Sequence, residues 1–325
     1  MNRREFLGSS CVAAALSCTT FAHAQSTKRI GYIDSTSAEA AQRFVSSFRA
    51  GLSEAGISPD RDVSIEHQWA QGDFDRLPAL VSALVAQKPD VIVAATLPAV
   101  QAAKAGAPHL PIVFALSADP VEFGLVASFN KPGGNVTGVT QRLGELGGKR
   151  LELLHDLLPT VRTIAVLANP TNPHGGPHTQ SVKEAALKLG INIRVLDVTK
   201  EDELATAFTT LRREQIGALL VSDDPVFRLF KGKLLALAGS SGIPAIHFGK
   251  DFTAAGGLMS YGPNLGEVYK RVGALTAKVL KGERPSDIPV EEPNIFELVV
   301  NQKTADTLNL TIQPAIFARS DEIVD

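Results

Sequence analysis

The sequence predicts an α/β protein of two doubly wound, Rossmann-like lobes joined by a three-segment hinge. Three observations support this fold class. Strand and helix patterns alternate along the first half of the chain, the same alternation recurs in the second half, and a turn-rich stretch at 130–138 separates the two halves. Such alternation is typical of parallel sheets that carry helices on both faces.

The first half carries the patterns of one complete lobe. A strand is predicted at 28–34 and a helix at 38–55, where apolar residues recur at helical spacing. Further along, the patterns predict strands at 63–69, 90–95 and 111–115 and helices at 74–87 and 98–105. The last two strands are almost wholly apolar, which is typical of strands that a parallel sheet buries on both faces.

The second half repeats this order of elements. Its patterns predict strands at 163–168, 192–198, 218–221 and 244–248 and helices at 179–189, 201–213 and 225–238. The prolines occupy equivalent places in the two halves: Pro98 and Pro225 each lead a helix, and Pro111 and Pro244 each begin a strand. We therefore expect two lobes of one topology.

The segments between and after the two repeats predict the hinge. Turn residues at 130–135 are followed by a short strand at 136–140, and a second turn signal lies at 261–264. The tail then contains patterns for a helix at 266–281, a strand at 295–301 and a short helix at 303–308. Because this tail is too small for a third domain, we expect it to cross to the first lobe and return. The expected lobes are 25–136 plus 264–294 and 140–261 plus 300–325, with hinge segments near 137–139, 262–263 and 295–299.

Residues 1–24 have the features of an export signal peptide. Arg3 and Arg4 form a twin-arginine pattern, an apolar run follows at 7–21, and Ala22-His23-Ala24 matches a cleavage site. Both the twin-arginine (Tat) and the Sec route remain open, and Cys18 leaves a lipoprotein as a further alternative. The only cysteines, Cys11 and Cys18, lie in this segment, so the mature chain contains no thiol. We expect a periplasmic protein.

Composition and motifs argue against several classes of function. The net charge of -2 gives no electrostatic footprint for nucleic acid. No G-x-S-x-G motif occurs, and 147–150 lacks the first glycine and the Ser/Thr of a P-loop. His174 and His178 are four residues apart, but we interpret their Gly/Pro-rich surroundings as a solvated loop. We therefore expect no catalytic residue, no cofactor and no metal ion. An exported hydrolase or a sensor domain on the same scaffold stays open as an alternative.

The candidate ligand-binding residues follow the predicted strands. Ligands of open α/β sheets bind beyond the carboxyl ends of the strands, and two facing lobes would enclose a cleft there. Most candidates are polar and uncharged, and Leu97 is apolar: they are Ser35, Thr36, Ser37, Thr96, Leu97, Ser117, Asp119, Asn169, Asn172, Asp223 and Tyr261. Some of them, with Asp224, could instead serve only as helix N-caps. We expect Phe114, Phe248 and Tyr261 to be the aromatic partners of a ligand.

Several motifs are similar to those of one protein family. They are Ser117-Ala118-Asp119-Pro120 with Gly124-Leu125-Val126, Pro132 to Gly138 (PGGNVTG), Gly256 to Asn264 (GGLMSYGPN), Lys278 to Pro289 (KVLKGERPSDIP) and Phe296 to Asn301 (FELVVN). On these residues the chain resembles the substrate-binding proteins of ABC transporters that have a type I periplasmic-binding-protein fold.

The resemblance implies a function. A protein of this kind traps a small solute between its lobes and delivers it to a membrane permease. It implies an amino acid or a related polar molecule, in some members an aromatic one. An aspartate (Asp119, Asp223 or Asp251) would pair an ammonium group and helix N-termini would attract a carboxylate. We expect a monomer that partners the membrane subunits of an ABC permease.

Overall fold

The computed structural model describes residues 27–141, 146–293 and 296–325. The signal segment 1–24 predicted from the sequence lies outside the described residues. Within the described part of the chain, no helix is long and apolar enough to cross a membrane. The described strands form two sheets, one of five strands and one of seven.

The first lobe is built on the five-stranded sheet. Its strands and helices are, in chain order, β1 (Lys28–Asp34), α1 (Ala38–Glu54), β2 (Val63–Trp69), α2 (Leu77–Ala86), β3 (Val91–Ala95), α3 (Leu97–Gly106), β4 (Ile112–Leu116) and β5 (Val136–Thr140). The strand order is β2-β1-β3-β4-β5 and every pair is parallel. All carboxyl ends therefore meet at one edge.

The second lobe begins with a helix that the sequence patterns did not predict. Its elements are α4 (Leu146–Leu157), β6 (Thr163–Ala168), α5 (Gly175–Leu189), β7 (Asn192–Asp197), α6 (Glu203–Arg213), β8 (Ala218–Val221), α7 (Pro225–Leu229), α8 (Lys231–Ser241), β9 (Ala245–His247), α9 (Lys250–Thr253) and β10 (Met259–Pro263). The tail adds α10 (Leu265–Leu280), β11 (Phe296–Asn301), α11 (Gln302–Thr307), α12 (Pro314–Phe317) and β12 (Glu322–Val324). The seven-stranded sheet has the order β12-β11-β10-β9-β8-β6-β7, with β10 and β11 antiparallel.

Most strands lie within one residue of their expected bounds, and the helices differ more. The expected helix at 225–238 is interrupted at Phe230, which separates α7 from α8. The expected helix at 74–87 opens with a 3₁₀ turn, Phe74–Arg76, before α2 starts. The start of α5 lies four residues earlier than expected, so His178 belongs to a helix and not to a loop.

The tail packs against the first lobe through a close helix contact. α10 follows a strand of the second sheet, yet it lies on α1. Glycine allows the contact: a Cβ at Gly51 would lie 1.9 Å from the Lys270 carbonyl oxygen, and one at Gly273 would lie 2.2 Å from the Phe48 carbonyl oxygen. The chain then runs beside β5, where the Glu291 N–H donates to the Gly138 carbonyl at 2.9 Å.

The connections between the sheets lie beyond the strand ends. The expected hinge segment 137–139 is part of β5, which pairs with β4 over its full length, and 262–263 is part of β10. Of the third segment, 296–299 is part of β11 and 295 lies outside the described residues. The lobe bounds and the bending at these connections stay predictions.

Candidate functional site

A cleft of about 620 Å³, a figure that includes its open mouth, lies between the two lobes. Residues at the carboxyl edge of the first sheet and residues that follow β6 and β8 of the second sheet line it. The polar lining residues of the first lobe are Asp34, Thr36, Thr96, Ser117 and Gln141. Those of the second lobe are Asn172, His174, Asp223 and Arg228. The cleft thus offers uncharged hydrogen-bonding groups, carboxylates and one guanidinium.

Six of the eleven candidate residues line this cleft. They are Thr36, Thr96, Leu97, Ser117, Asn172 and Asp223. They lie where the sheet rule predicted, directly after β1, β3, β4, β6 and β8. A ligand contact at each of them stays a prediction.

The other five candidates do not line the cleft and have structural contacts instead. Ser35 shares a 2.6 Å hydrogen bond with Thr96, and Ser37 accepts the Ala40 N–H at 3.2 Å as the N-cap of α1. Asp119 accepts two backbone N–H groups of its own turn, at 2.7 and 3.2 Å. The remaining two are Asn169, which accepts from Thr171, and Tyr261, whose carbonyl accepts from Arg150.

The aromatic residues of the cleft differ from those expected. Phe114 and Phe248 are fully buried in the cores of their lobes, and Tyr261 is half-buried with its ring 6.1 Å from that of Phe296. The aromatic lining residues are instead Phe44 of α1 and Tyr269 of α10, whose rings stack at 4.9 Å with 23° between their planes. The close contact of α1 with α10 therefore also builds one wall of the cleft.

Asp34 lies at the end of β1 and is 2% exposed. Its carboxylate accepts the Thr36 N–H at 2.7 Å and the Thr36 hydroxyl at 2.8 Å. Burial raises the pKa of Asp34, and the two hydrogen bonds from Thr36 oppose that shift. The bonds fix the loop between β1 and α1 against the cleft.

Thr96 has a strained backbone at the rim of the cleft. Its φ is 83° and its ψ is 152°, a region that residues with a Cβ rarely occupy. The Thr96 side chain makes no cap bond to α3 and pairs with Ser35 instead. Strain of this kind costs about 1–3 kcal/mol and is often found at ligand sites.

Asp223 and Asp224 are adjacent in sequence and have different environments. Asp223 lines the cleft, whereas Asp224 caps α7 by accepting the Val226 N–H at 2.8 Å. Asp224 also accepts from the side-chain amides of Asn169 and Asn172, at 3.2 and 2.7 Å. Burial raises the pKa of Asp224 to about 7, although these hydrogen bonds oppose the shift. Asp224 thus orients Asn172, and it leaves Asp223 to face the cleft.

Arg228 extends from α7 into the cleft and is held between two aromatic rings. Its guanidinium carbon lies 4.7 Å from the Phe44 ring centroid and 5.0 Å from that of Phe248. The nearest carboxylates are those of Asp223, at 3.9 Å from Nη2, and Asp251, at 4.0 Å from Nη1. Both distances are longer than a hydrogen bond.

Within the described part of the chain, three buried polar atoms of cleft residues have no hydrogen-bond partner. They are Oε1 of Gln141, Nε2 of His174 and Nη1 of Arg228. Burial lowers the pKa of His174, so its imidazole is neutral at pH 7. A buried polar atom without a partner costs about 1–3 kcal/mol. A ligand that formed hydrogen bonds with these atoms would remove that cost.

A second polar cluster lies behind the cleft in the second lobe. Arg150 is fully buried and donates from Nε to the Tyr261 carbonyl at 2.8 Å and from Nη1 to His178 Nε2 at 3.4 Å. His178 Nδ1 then carries the proton and donates to Ser222 Oγ at 3.2 Å. Burial lowers the pKa of Arg150 to about 10, which leaves it charged at pH 7. The cluster links β10 to the strand end that carries Asp223.

The burial of His174 and His178 corrects the expectation that both lie in a solvated loop. His174 is 4% exposed and His178 is 0% exposed, so neither lies in a solvated loop. The Gly/Pro-rich sequence misled because Gly175, Gly176 and Pro177 form the first turn of α5, where glycine and proline are tolerated. Within 27–141, 146–293 and 296–325, no group of three or more His, Cys, Asp or Glu could hold a metal ion.

A cleft between the facing sheet edges of two α/β lobes is the architecture that periplasmic binding proteins use to enclose a ligand. The sequence matches the family described as ABC transporter substrate binding protein over residues 29–324. The chain therefore belongs to this family, whose members are binding proteins and not enzymes. The family is typically extracellular or periplasmic.

Three relatives illustrate this similarity. A tyrosine-binding protein of Clostridioides difficile (strain R20291) is 28% identical over 278 residues, which cover 85% of this chain and 80% of the relative. An ABC domain from Streptococcus pneumonia, solved in complex with L-Trp, is 26% identical with a TM-score of 0.84, over 92% of this chain and 100% of that one. The ligand-free, open structure of a substrate-binding protein with adhesive properties from Clostridium difficile is 25% identical with a TM-score of 0.62, over 91% and 99%.

Proposed function

We propose that this chain is the solute receptor of an ABC importer and that it captures an amino acid or a closely related molecule with an aromatic side chain. The cleft carries the argument. It combines carboxylates (Asp34 and Asp223), a guanidinium (Arg228) and a stacked pair of rings (Phe44 and Tyr269). Charged groups of both signs suit a zwitterion, and the rings suit a planar apolar side chain.

The comparisons support the aromatic part of this proposal. One relative is named a tyrosine-binding protein, and a structural neighbour was solved with L-Trp. Sugars and other solutes without charged groups would leave the charged groups of the cleft without partners.

Closure of the two lobes is the proposed binding step. A ligand that contacts both lobes stabilises the arrangement in which the lobes are close together. The arrangement described above has a TM-score of 0.84 against the L-Trp complex and 0.62 against the ligand-free, open structure, at nearly equal sequence identity. We infer that it corresponds to the closed state of the two lobes.

The setting of the protein completes the proposal. The chain is exported by the signal at 1–24, acts in the periplasm as a monomer, and delivers its ligand to the membrane subunits of an ABC permease. The export features of 1–24 and the family membership support this setting.

Isothermal titration of the mature protein with L-tyrosine, L-tryptophan, L-phenylalanine and D-glucose tests the function. At least one aromatic amino acid should bind, and it should raise the stability by about 2.7 kcal/mol at a hundred times its Kd. Asp223→Asn should weaken that binding at least tenfold, because it removes a carboxylate of the cleft. Asp202→Asn, at an exposed position on the same lobe, is the matched control and should bind as the unaltered protein does. The proposal fails if no amino acid binds or if glucose binds more tightly.

A further inference from the structure

We propose that Arg228 is the residue that recognises an anionic group of the ligand, which for an amino acid is its carboxylate. This inference rests on the proposed function of the cleft and deepens it. The sequence had suggested that helix N-termini would attract a carboxylate. α3 and α7 both begin at the cleft, and the first turn of each contains a proline, Pro98 or Pro225, which has no N–H to donate.

The hydrogen-bonding state of Arg228 carries the inference. Its side chain is 12% exposed and lines the cleft. Among the described residues, Nη1 is buried without a hydrogen-bond partner. Asp251 lies 4.0 Å from Nη1 and Asp223 lies 3.9 Å from Nη2, and both distances are longer than a hydrogen bond. A guanidinium has five N–H donors in a planar fork that matches a carboxylate in two parallel bonds. A ligand carboxylate would therefore satisfy donors that the protein leaves unused.

The two rings around Arg228 hold its guanidinium ready for this contact. Phe248 belongs to the second lobe, as Arg228 does, whereas Phe44 belongs to α1 of the first lobe. The guanidinium thus stacks on a ring from each lobe only when the lobes are close together. Since both rings restrict its orientation, little side-chain entropy is lost when an anion binds. Recognition of the anion and closure of the lobes are coupled through the same side chain.

The charges around Arg228 define the class of ligand further. Asp34 and Asp223 line the same cleft, so a ligand that carried only negative charge would be repelled by them. A zwitterion can place its anionic group at Arg228 and its ammonium group at a carboxylate. The geometry therefore favours free amino acids over amines, which lack the anion, and over acids that lack the ammonium group.

The test compares L-tyrosine with tyramine, which is the same molecule without the carboxylate. Both ligands are titrated into the unaltered mature protein, Arg228→Gln, Arg228→Lys and Arg213→Gln. Arg213 is an exposed arginine paired with Glu214 and serves as the matched control. We expect the unaltered protein and Arg213→Gln to bind L-tyrosine about 100-fold more tightly than tyramine.

Arg228→Gln should lose about 100-fold in affinity for L-tyrosine and stay within about threefold for tyramine, so that the preference for the carboxylate disappears. Arg228→Lys should retain only part of the preference for the carboxylate. Lysine keeps the positive charge, but its ammonium group lacks the planar fork of a guanidinium. Equal losses for both ligands, or an unchanged preference in both variants, would overturn the assignment. If the unaltered protein binds neither L-tyrosine nor L-tryptophan, the proposed function itself fails and this inference with it.

Discussion

Gly273→Ala is expected to destabilise the protein strongly, because α10 and α1 touch through their backbones. A Cβ at position 273 would lie 2.2 Å from the Phe48 carbonyl oxygen, 2.8 Å from the Leu52 nitrogen and 3.0 Å from the Gly51 carbonyl carbon. All three are backbone atoms of α1, which cannot rotate away as the end of a flexible side chain can. The two helices would have to separate by about 1 Å to relieve the overlap.

The magnitude follows from what that separation disturbs. Phe48, Leu52 and Val272 are fully buried where the helices meet, so their packing would loosen together. Overpacking of a well-packed core costs about 1–3 kcal/mol, and we expect a loss of at least 2 kcal/mol because the obstacle is backbone. Tyr269 lies one turn before Gly273 on α10 and lines the cleft, so ligand affinity should fall as well.

Gly239→Ala provides the matched control. Gly239 also lies within a helix, α8, but no atom of the described residues lies within 4 Å of where its Cβ would be. Alanine there should raise the stability by about 0.5–1 kcal/mol through its higher helix propensity. Urea unfolding followed by far-ultraviolet circular dichroism measures both changes. If Gly273→Ala were as stable as the unaltered protein, the described contact between α1 and α10 would be wrong.

Two further predictions concern titration and fluorescence. Because burial raises the pKa of Asp224 from 3.8 to about 7, its contribution to stability is fully present below about pH 4 and is lost as the pH rises through 7. The stability of Asp224→Asn relative to the unaltered protein should therefore rise between pH 4 and pH 8, and a difference independent of pH would contradict this reasoning. Trp69, the only tryptophan, ends β2 beside Asp34 and stacks on His67 at 5.4 Å. Its emission, excited at 295 nm, should change when L-phenylalanine binds, because Asp34 lines the cleft and is the strand partner of Trp69, and it should be absent in Trp69→Phe. An unchanged emission at saturation would contradict this coupling through Asp34.

The strands could be predicted well because their signal is local. Runs such as 91–95 and 218–221 are apolar throughout and bounded by polar or turn residues, so their ends could be found from the sequence alone. The sheet rule then placed Thr36, Thr96 and Asp223 at the cleft, since it depends only on strand direction.

The missed residues of the cleft depend on helix orientation, which the sequence does not determine. Phe44 and Tyr269 occupy apolar helix positions that are equally compatible with ordinary core packing, and both rings reach the cleft only because α10 packs on α1. Arg228 lies on a helix that ends at Leu229, whereas the pattern predicted a longer one. The break at Phe230, which separates α7 from α8, was not predicted.

The direction of a side chain within a loop could not be predicted from the sequence either. Ser35 and Thr36 are neighbours of similar chemistry after β1, yet Thr36 lines the cleft and Ser35 bonds to Thr96. The positive φ of Thr96 also has no sequence signal, because threonine rarely adopts it.

The distance between the lobes, measured with and without ligand, tests the proposed receptor mechanism most directly. Residues 25–325 contain no cysteine, so Ser82→Cys on α2 and Ser240→Cys on α8, both at exposed positions, would place one spin label on each lobe of a protein that begins at residue 25. Addition of saturating L-tyrosine or L-tryptophan should shorten and narrow the distribution of distances between the labels in pulsed electron spin resonance. A distribution that stays the same while calorimetry reports binding would contradict capture by closure.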